Sequence, residues 1–303
     1  MFRNRVLRVV ILASLTIISF ASAALAQDKL TVKDILDRHL QSFGTADAIA
    51  KSQNRMAMGR ADFTVMMTAK KATGKAVLAS DGKDLALFST FDLLDYRMER
   101  IGLFDNKVTI PVVDQGHRSP LGSFLLAYNK FLGERLFGGS IFSTWPLYGS
   151  DLGKLNVEVD KKVKIGDKEA WVLKVTPKGG LGTGSYIKLY FDAKDFHHIR
   201  TVYRQHETER GFFDPGSKDT NKGQVPGGFD QDMANNGSTL TEDFDDFSND
   251  AAGISLPHKY SVLLSIDSVR GLQDFRWEFQ ISEYKLIKEF PANFFSFQAE
   301  TPK

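Results

Sequence analysis

Residues that could do chemistry are few in this sequence and poorly grouped. Glu242, Asp243, Asp245 and Asp246 interleave with Phe244 and Phe247. Neighbouring carboxylates can act as general acid and base when their surroundings set their pKa values apart. A hydrolase acting on lipid or glycan would use Glu242 and Asp245 in that way. The simpler reading of the same run is the solvated face of an edge strand. His197 and His198 are adjacent on a predicted strand, so they point to opposite faces and make poor joint metal ligands. With His206, they read as surface histidines at a strand and its exit.

The remaining motifs fail on spacing. Gly179-Gly180-Leu181-Gly182-Thr183-Gly184 looks like a phosphate loop, but Ser185 stands where the last glycine belongs and a strand follows instead of a helix. Asp230-Gln231-Asp232-Met233-Ala234-Asn235 starts like a calcium loop, yet Ala234 takes a ligand position and Asn235 the glycine position. The chain has no cysteine, which excludes a thiol nucleophile, a zinc–thiolate site, an iron–sulfur cluster and disulfides. There is no G-x-S-x-G elbow, no phosphate-binding G-x-x-x-x-G-K-[ST] loop and no H-E-x-x-H pair. The sequence therefore predicts no catalytic residue, no metal and no cofactor. It reads as a protein that binds and is not an enzyme.

The 303 residues suit one large domain or two small ones. Arg3, Arg5 and Arg8 precede an apolar stretch from Val9 to Phe20 and the small residues Ala21 to Ala26. This order predicts a secretory signal over 1–26, cleaved after Ala26 and delivering the protein to the periplasm. The apolar stretch is short of the ~20 residues of a spanning helix. Without the three arginines, 36 basic residues face 37 acidic ones. That balance gives no electrostatic case for nucleic acid as a partner. Of the aromatic residues, 24 are Phe, three times the count of Tyr, so much apolar aromatic surface needs a place.

The elements follow from the hydrophobic period. Thr31 and Asp34 form a capping box ahead of Val32, Ile35, Leu36, Leu40 and Phe43, with Gly44 as the stop. Thr45 to Ser52 predicts a second short helix. From Arg55 the period becomes two: Ala61, Phe63, Val65 and Met67 alternate with polar neighbours, and further strands are predicted at 75–80, 83–90, 96–104 and 107–113. A helical insertion over 119–147 starts with Ser119 as cap and Pro120 at the first position. It carries Leu121, Phe124, Leu125, Tyr128 and Leu132 on one face, which Leu126 and Phe131 widen. It reads either as a core helix or as a plug across an open sheet. Strands resume from Leu155, are interrupted by a long polar loop over 209–237, and continue through a polar strand at 240–248 to Ile281. The total is ten to twelve strands in sequential, meander-like order.

This arrangement resembles the outer-membrane lipoprotein-sorting (LolA-like and LolB-like) carriers. The resemblance rests on a signal peptide, the helical opening Ile35-Leu36 to Phe43-Gly44, and Arg55-x-x-x-Gly59-x-x-x-Phe63 entering the first strand. It continues in the apolar helix before Trp145-Pro146-Leu147, in Leu256-Pro257-x-x-Tyr260, and in the closing Phe290-Pro291 to Phe295-Phe297. It implies a mainly β fold with α insertions: an incomplete, curved antiparallel β-barrel, or half-barrel, as a single domain over 27–303, with helices plugging its concave side. It also implies lipid or lipoprotein acyl chains as ligand, carried across the periplasm, with inner- and outer-membrane transport components as partners. Arg60 lies near the place of the arginine that latches the lid in the archetypal carrier. On this reading Phe124, Leu125, Tyr128, Phe131, Leu132 and Phe142 line an apolar cavity with Trp171, Phe191 and Trp277 of the sheet. The competing architecture is an outer-membrane β-barrel. The helical insertion, the mixed character of both strand faces and the lack of a terminal aromatic strand all speak against it.

Overall fold

The computed structural model describes residues 30–112, 118–149, 152–153, 155–206, 235–250, 252–268 and 271–297. The expected signal segment, the 230–234 stretch and most of the expected 209–237 loop lie outside the described residues. Helix α1 (Val32–Phe43) begins at the predicted capping box: Asp34 N–H donates to Thr31 Oγ1 at 3.2 Å and Thr31 N–H to Asp34 Oδ2 at 2.8 Å. Gly44 ends it at φ 131°, a conformation that L side chains resist. Helix α2 (Ala46–Lys51) follows, capped by Thr45.

Twelve strands then form one antiparallel sheet. They are β1 (Arg55–Val65), β2 (Lys70–Ser80), β3 (Leu85–Leu93), β4 (Tyr96–Phe104), β5 (Lys107–Thr109), β6 (Leu155–Ile165), β7 (Lys168–Pro177), β8 (Tyr186–Asp192), β9 (His198–Gln205), β10 (Asn235–Asn249), β11 (Ser255–Ser268) and β12 (Gly271–Leu286). Their order is β5-β4-β3-β2-β1-β12-β11-β10-β9-β8-β7-β6, not closed into a barrel. The first and last strands pair at the centre, Phe63 opposite Trp277, and the sheet grows outward from them as two meanders. It is a mainly β, open, curved half-barrel.

This topology explains the helical insertion. The consecutive strands β5 and β6 occupy opposite edges, so residues 110–154 must cross the sheet. That crossing contains helices α3 (Pro120–Ala127) and α4 (Lys130–Gly133) and two 3-10 turns, Gly139–Ile141 and Pro146–Tyr148. Ser119 caps α3 by accepting from Gly122 N–H at 2.7 Å. The crossing packs with the inward residues of the strands into one apolar core, which includes Phe124, Phe131, Phe137, Tyr203, Tyr260 and Trp277.

Several strand bounds differ from the sequence expectation. β2 begins at Lys70 and not at 75, because the backbone of Lys70–Gly74 pairs fully with β1 whatever its polar side chains. β5 stops at Thr109, and Met67 falls in the β1–β2 turn, where it is exposed. β10 is no edge strand, since it pairs with β9 on one side and β11 on the other. A second, smaller apolar cluster uses more of the Phe excess. Phe290, Phe294, Phe295 and Phe297, beyond β12, pack against Met56, Ala79, Ala86 and Phe104 on the outer face. The outer positions there are small, and a Cβ on Gly102 would sit 2.7 Å from the Phe295 carbonyl oxygen.

Gly59 marks a register shift between β1 and β12, where a Cβ would lie 2.0 Å from the Gln280 carbonyl oxygen. Backbone cannot yield as a flexible side chain does. Gly59→Ala is therefore expected to destabilise the protein by about 2–3 kcal/mol, measured by urea unfolding with an unchanged m-value.

Candidate functional site

The concave face of the sheet and the crossing segment packed on it form the candidate site, and residues 138–145 of that segment are where the sheet holds it. Arg55 is the third fully buried giant of the core, 1% exposed. Its Nε donates to the Ile141 carbonyl at 2.9 Å, and its Nη2 donates to the Ser140 carbonyl at 2.7 Å and the Tyr148 hydroxyl at 2.9 Å. Nη1 reaches the Ser52 hydroxyl at 3.2 Å. A guanidinium suits this place because its fixed fork of donors serves several acceptors at once. Arg60, the arginine suggested by resemblance, lies instead on the exposed face, where its Nη2 meets Asp62 at 2.7 Å. The alternation of β1 decides between them: position 55 shares the inward face with Ala57, Ala61 and Phe63, and position 60 does not.

Glu242 grips the other side of the same turn. Its Oε1 accepts from Gly138 N–H at 2.7 Å and from the Tyr260 hydroxyl at 2.5 Å, and its Oε2 accepts from the Tyr203 hydroxyl at 2.7 Å. Burial pushes its carboxyl up to about 7, against the pull of those three donors. The solvated-face reading of this segment thus fails at Glu242. Leu240, Glu242 and Phe244 share the buried face, while Asp243 and Asp245 alternate outward. Asp245 pairs with Lys168 at 3.3 Å on the exposed side. The two carboxylates that a hydrolase would need are therefore on opposite faces.

Two more contacts complete the grip. Ser143 N–H donates to Ser80 Oγ at 2.7 Å. Trp145 Nε1–H donates to His39 Nε2 at 3.3 Å, and the other ring nitrogen of His39 bonds the Phe196 carbonyl at 2.9 Å. Trp145 also stacks on His198, with centroids 4.8 Å apart. His198 is fully buried, which corrects its reading as a surface residue; His197, pointing the other way, lies half-buried on Phe247. Burial lowers both interior histidines, His39 to about 3, so both are neutral near pH 7. Beyond the grip, Ser119 and Tyr96 bring hydroxyls to buried Glu99, and Tyr96 in turn accepts from Trp277 Nε1 at 2.7 Å. Among the described residues no group of three His, Asp or Glu is placed to hold a metal ion.

The residues expected to line a cavity all belong to the one large apolar core, where they form several local groups. Phe124, Tyr128 and Phe131 form one aromatic group, and Phe131 meets Tyr203 of β9 at 4.6 Å. Leu125 and Leu132 are buried in the same core. Phe142 covers Gly138 at the gripped turn. Phe191 is buried beside His39, their centroids 4.7 Å apart, while Trp277 sits against Phe63 at 5.2 Å. Trp171 is only half-buried, with the Lys162 ammonium 5.7 Å above its ring.

No family model and no curated protein matches the chain. Solved structures do. A LolA superfamily protein from Nitrosomonas europaea aligns over 88% of this chain and 98% of its own, at 13% identity and a TM-score of 0.43. A DUF1329 family protein from Desulfovibrio piger aligns over 88% and 97%, at 13% identity and 0.43. A putative outer membrane lipoprotein-sorting protein domain from Vibrio parahaemolyticus aligns over 86% and 97%, at 10% identity and 0.41.

Sequence reasoning missed Arg55, His39 and His198 as site residues, and it named Glu242 only as a hydrolase's acid or base, preferring a solvated strand face for it. For Glu242 a signal was present, since apolar Leu240 and Phe244 flank it at spacing two. The acidic neighbours masked it. His39 had no such signal, because its partners Phe196 and Trp145 are distant in sequence.

Proposed function

We propose that this protein is a non-enzymatic carrier that binds lipid or lipoprotein acyl chains between its lid and the concave sheet. In this reading it moves them through the periplasm toward the outer membrane. The observation that carries the reading is the way the aromatic face is covered. Its cover is a crossing segment, outside the sheet, gripped at one turn by hydrogen-bonding side chains from four elements: Arg55, Ser80, Glu242 and His39. Water can replace those hydrogen bonds when the turn lifts, and an acyl chain can replace the apolar lid surface. Each CH₂ so buried gains about 0.8 kcal/mol. Phe124, Leu125, Tyr128, Phe131, Leu132 and Phe142 of the lid, with Trp171, Phe191 and Trp277 of the sheet, are the surfaces assigned to the ligand.

The outward positions of the strands argue against a membrane-spanning barrel. Arg60, Lys71, Lys75, Asp243, Asp245 and Glu278 stand there, where a lipid-facing band would be apolar.

A lock on the lid tests the carrier reading. Ser80 Oγ and Ser143 Oγ are 2.9 Å apart and the chain has no native cysteine, so S80C/S143C offers a single disulfide between sheet and lid. The oxidised double variant is expected not to bind cis-parinaric acid, a fluorescent fatty acid, and the reduced form is expected to bind it. Equal binding by both forms, or no binding by the unmodified protein, would refute the proposal.

A further inference from the structure

The antiparallel order places three neighbouring hairpins at one end of the half-barrel. The strands β4-β3-β2-β1-β12-β11 are consecutive in the sheet, and the β3–β4, β1–β2 and β11–β12 turns all close at the same end. Each of these tips carries aliphatic side chains that the fold leaves in water. Leu94 is 74% exposed, Met67 68%, Leu272 55% and Met66 43%. Only two other large hydrophobic residues are exposed among the described residues: Val112, and Leu286 at the opposite end of β12. With strands roughly 4.8 Å apart, the outer two tips lie about 20 Å from each other. The apolar points are thus spread along a rim, with no groove between them.

We infer that this rim is a docking edge for an anionic lipid bilayer, the tips entering the headgroup region. Separate aliphatic points on a row suit a flat, deformable surface, whereas a folded protein partner would call for a contiguous complementary patch. On the β1–β2 and β3–β4 hairpins the flanking charges fit the same occupant, while the β11–β12 hairpin carries Asp267 and Asp274. Asp95 is paired with Lys70 at 2.8 Å, and Asp92 is engaged by the backbone N–H of Thr73 at 2.7 Å and by its hydroxyl. Lys71 and Arg97, next along the same hairpins, are exposed cations with no acidic partner among the described residues. They would face lipid phosphates just behind the aliphatic tips. The crossing segment reaches the same end: Lys130 of α4 donates to the Gly180 carbonyl at 2.7 Å in the β7–β8 loop, which also closes there. The inference stands apart from the carrier reading, since it concerns the outside of the hairpins and not the covered face.

The experiment is co-sedimentation of the purified protein with vesicles of phosphatidylethanolamine containing phosphatidylglycerol. The protein is expected to partition onto them, more weakly as ionic strength rises from about 0.1 M to 1 M. M67S/L94S/L272S should lower the partition coefficient by about tenfold or more, while L286S leaves it unchanged. A gain of signal guards against misfolding: Trp placed by Leu94→Trp should shift its emission to the blue on adding vesicles, and Trp placed by Leu286→Trp should not. No partition of the unmodified protein, equal partition of the triple variant, or an unshifted Leu94→Trp spectrum would overturn the inference. The lid lock leaves these tips untouched, so S80C/S143C should partition normally, and a failure of acyl binding is read separately from a failure of docking.

Discussion

Arg55→Ala is expected to lower the unfolding free energy by about 3–5 kcal/mol and to raise the apparent affinity for an apolar probe at least tenfold. The stability term follows from the acceptors left behind. Truncation removes the donor of the buried Ile141 carbonyl and one of two donors of the Ser140 carbonyl, which keeps the Tyr148 hydroxyl at 2.6 Å, and an orphaned buried group costs roughly 1–3 kcal/mol. The lost contact of the guanidinium over the Tyr148 ring, 5.2 Å from its centroid, adds to this. The affinity term follows from the closed lid competing with ligand: whatever weakens the grip removes part of the free energy that a ligand must overcome. Arg55→Lys should recover little, because one ammonium cannot reproduce a fork that serves residues 52, 140, 141 and 148. Arg60→Ala, which removes an exposed arginine paired only with Asp62, should change stability by less than about 0.5 kcal/mol. Urea unfolding and cis-parinaric acid titration measure both effects. An Arg55→Ala protein as stable as the parent would end the latch reading.

Glu242→Gln is expected to change how stability depends on pH. Burial raises the Glu242 carboxyl from 4.5 to about 7 in the folded protein. A carboxyl raised by folding contributes stability that is fully present below the unfolded value, near pH 4.5, and lost as pH climbs to about 7. Above that, the native carboxylate is held at constant cost. Gln does not titrate, so the stability of Glu242→Gln relative to the parent should rise by about 3 kcal/mol between pH 4.5 and 7.5. The hydroxyls on this carboxylate, Tyr203 and Tyr260, are pushed well above their ordinary range by burial and do not titrate between those limits. Glu99, also raised to about 7, and His39, lowered to about 3, act in opposite senses on the absolute curve. Both are present in both proteins and cancel in the difference. Parallel curves for the two proteins would show that Glu242 does not titrate in this range.

The local features of this fold were legible in its residues. Thr31, Asp34 and Gly44 bound α1 because capping uses atoms within three or four residues, and Ser119-Pro120 start α3 for the same reason. The alternation of Ala61, Phe63 and Val65 fixed the buried face of β1, and counting turn signals gave ten to twelve strands where twelve are found among the described residues. Polar strands were harder. Lys70–Gly74 pairs through backbone groups that every side chain shares, so composition hides it, whereas the polar strand expected at 240–248 lies within β10.

What the sequence determined by itself is a set of helices and strands and an apolar segment between two blocks of strands. It could not say that β1 meets β12, which joins residues over 200 positions apart and thereby sends β5 and β6 to opposite edges. That pairing alone obliges the connection between β5 and β6 to cross the sheet. It also selects Arg55 over Arg60, and Glu242 over Asp243 and Asp245, as buried groups, although their types are the same. The physical reason is common to all of these. Burial, and the pKa shifts and hydrogen bonds that come with it, depend on which distant segment covers a side chain, and only the assembled sheet and its crossing segment fix that.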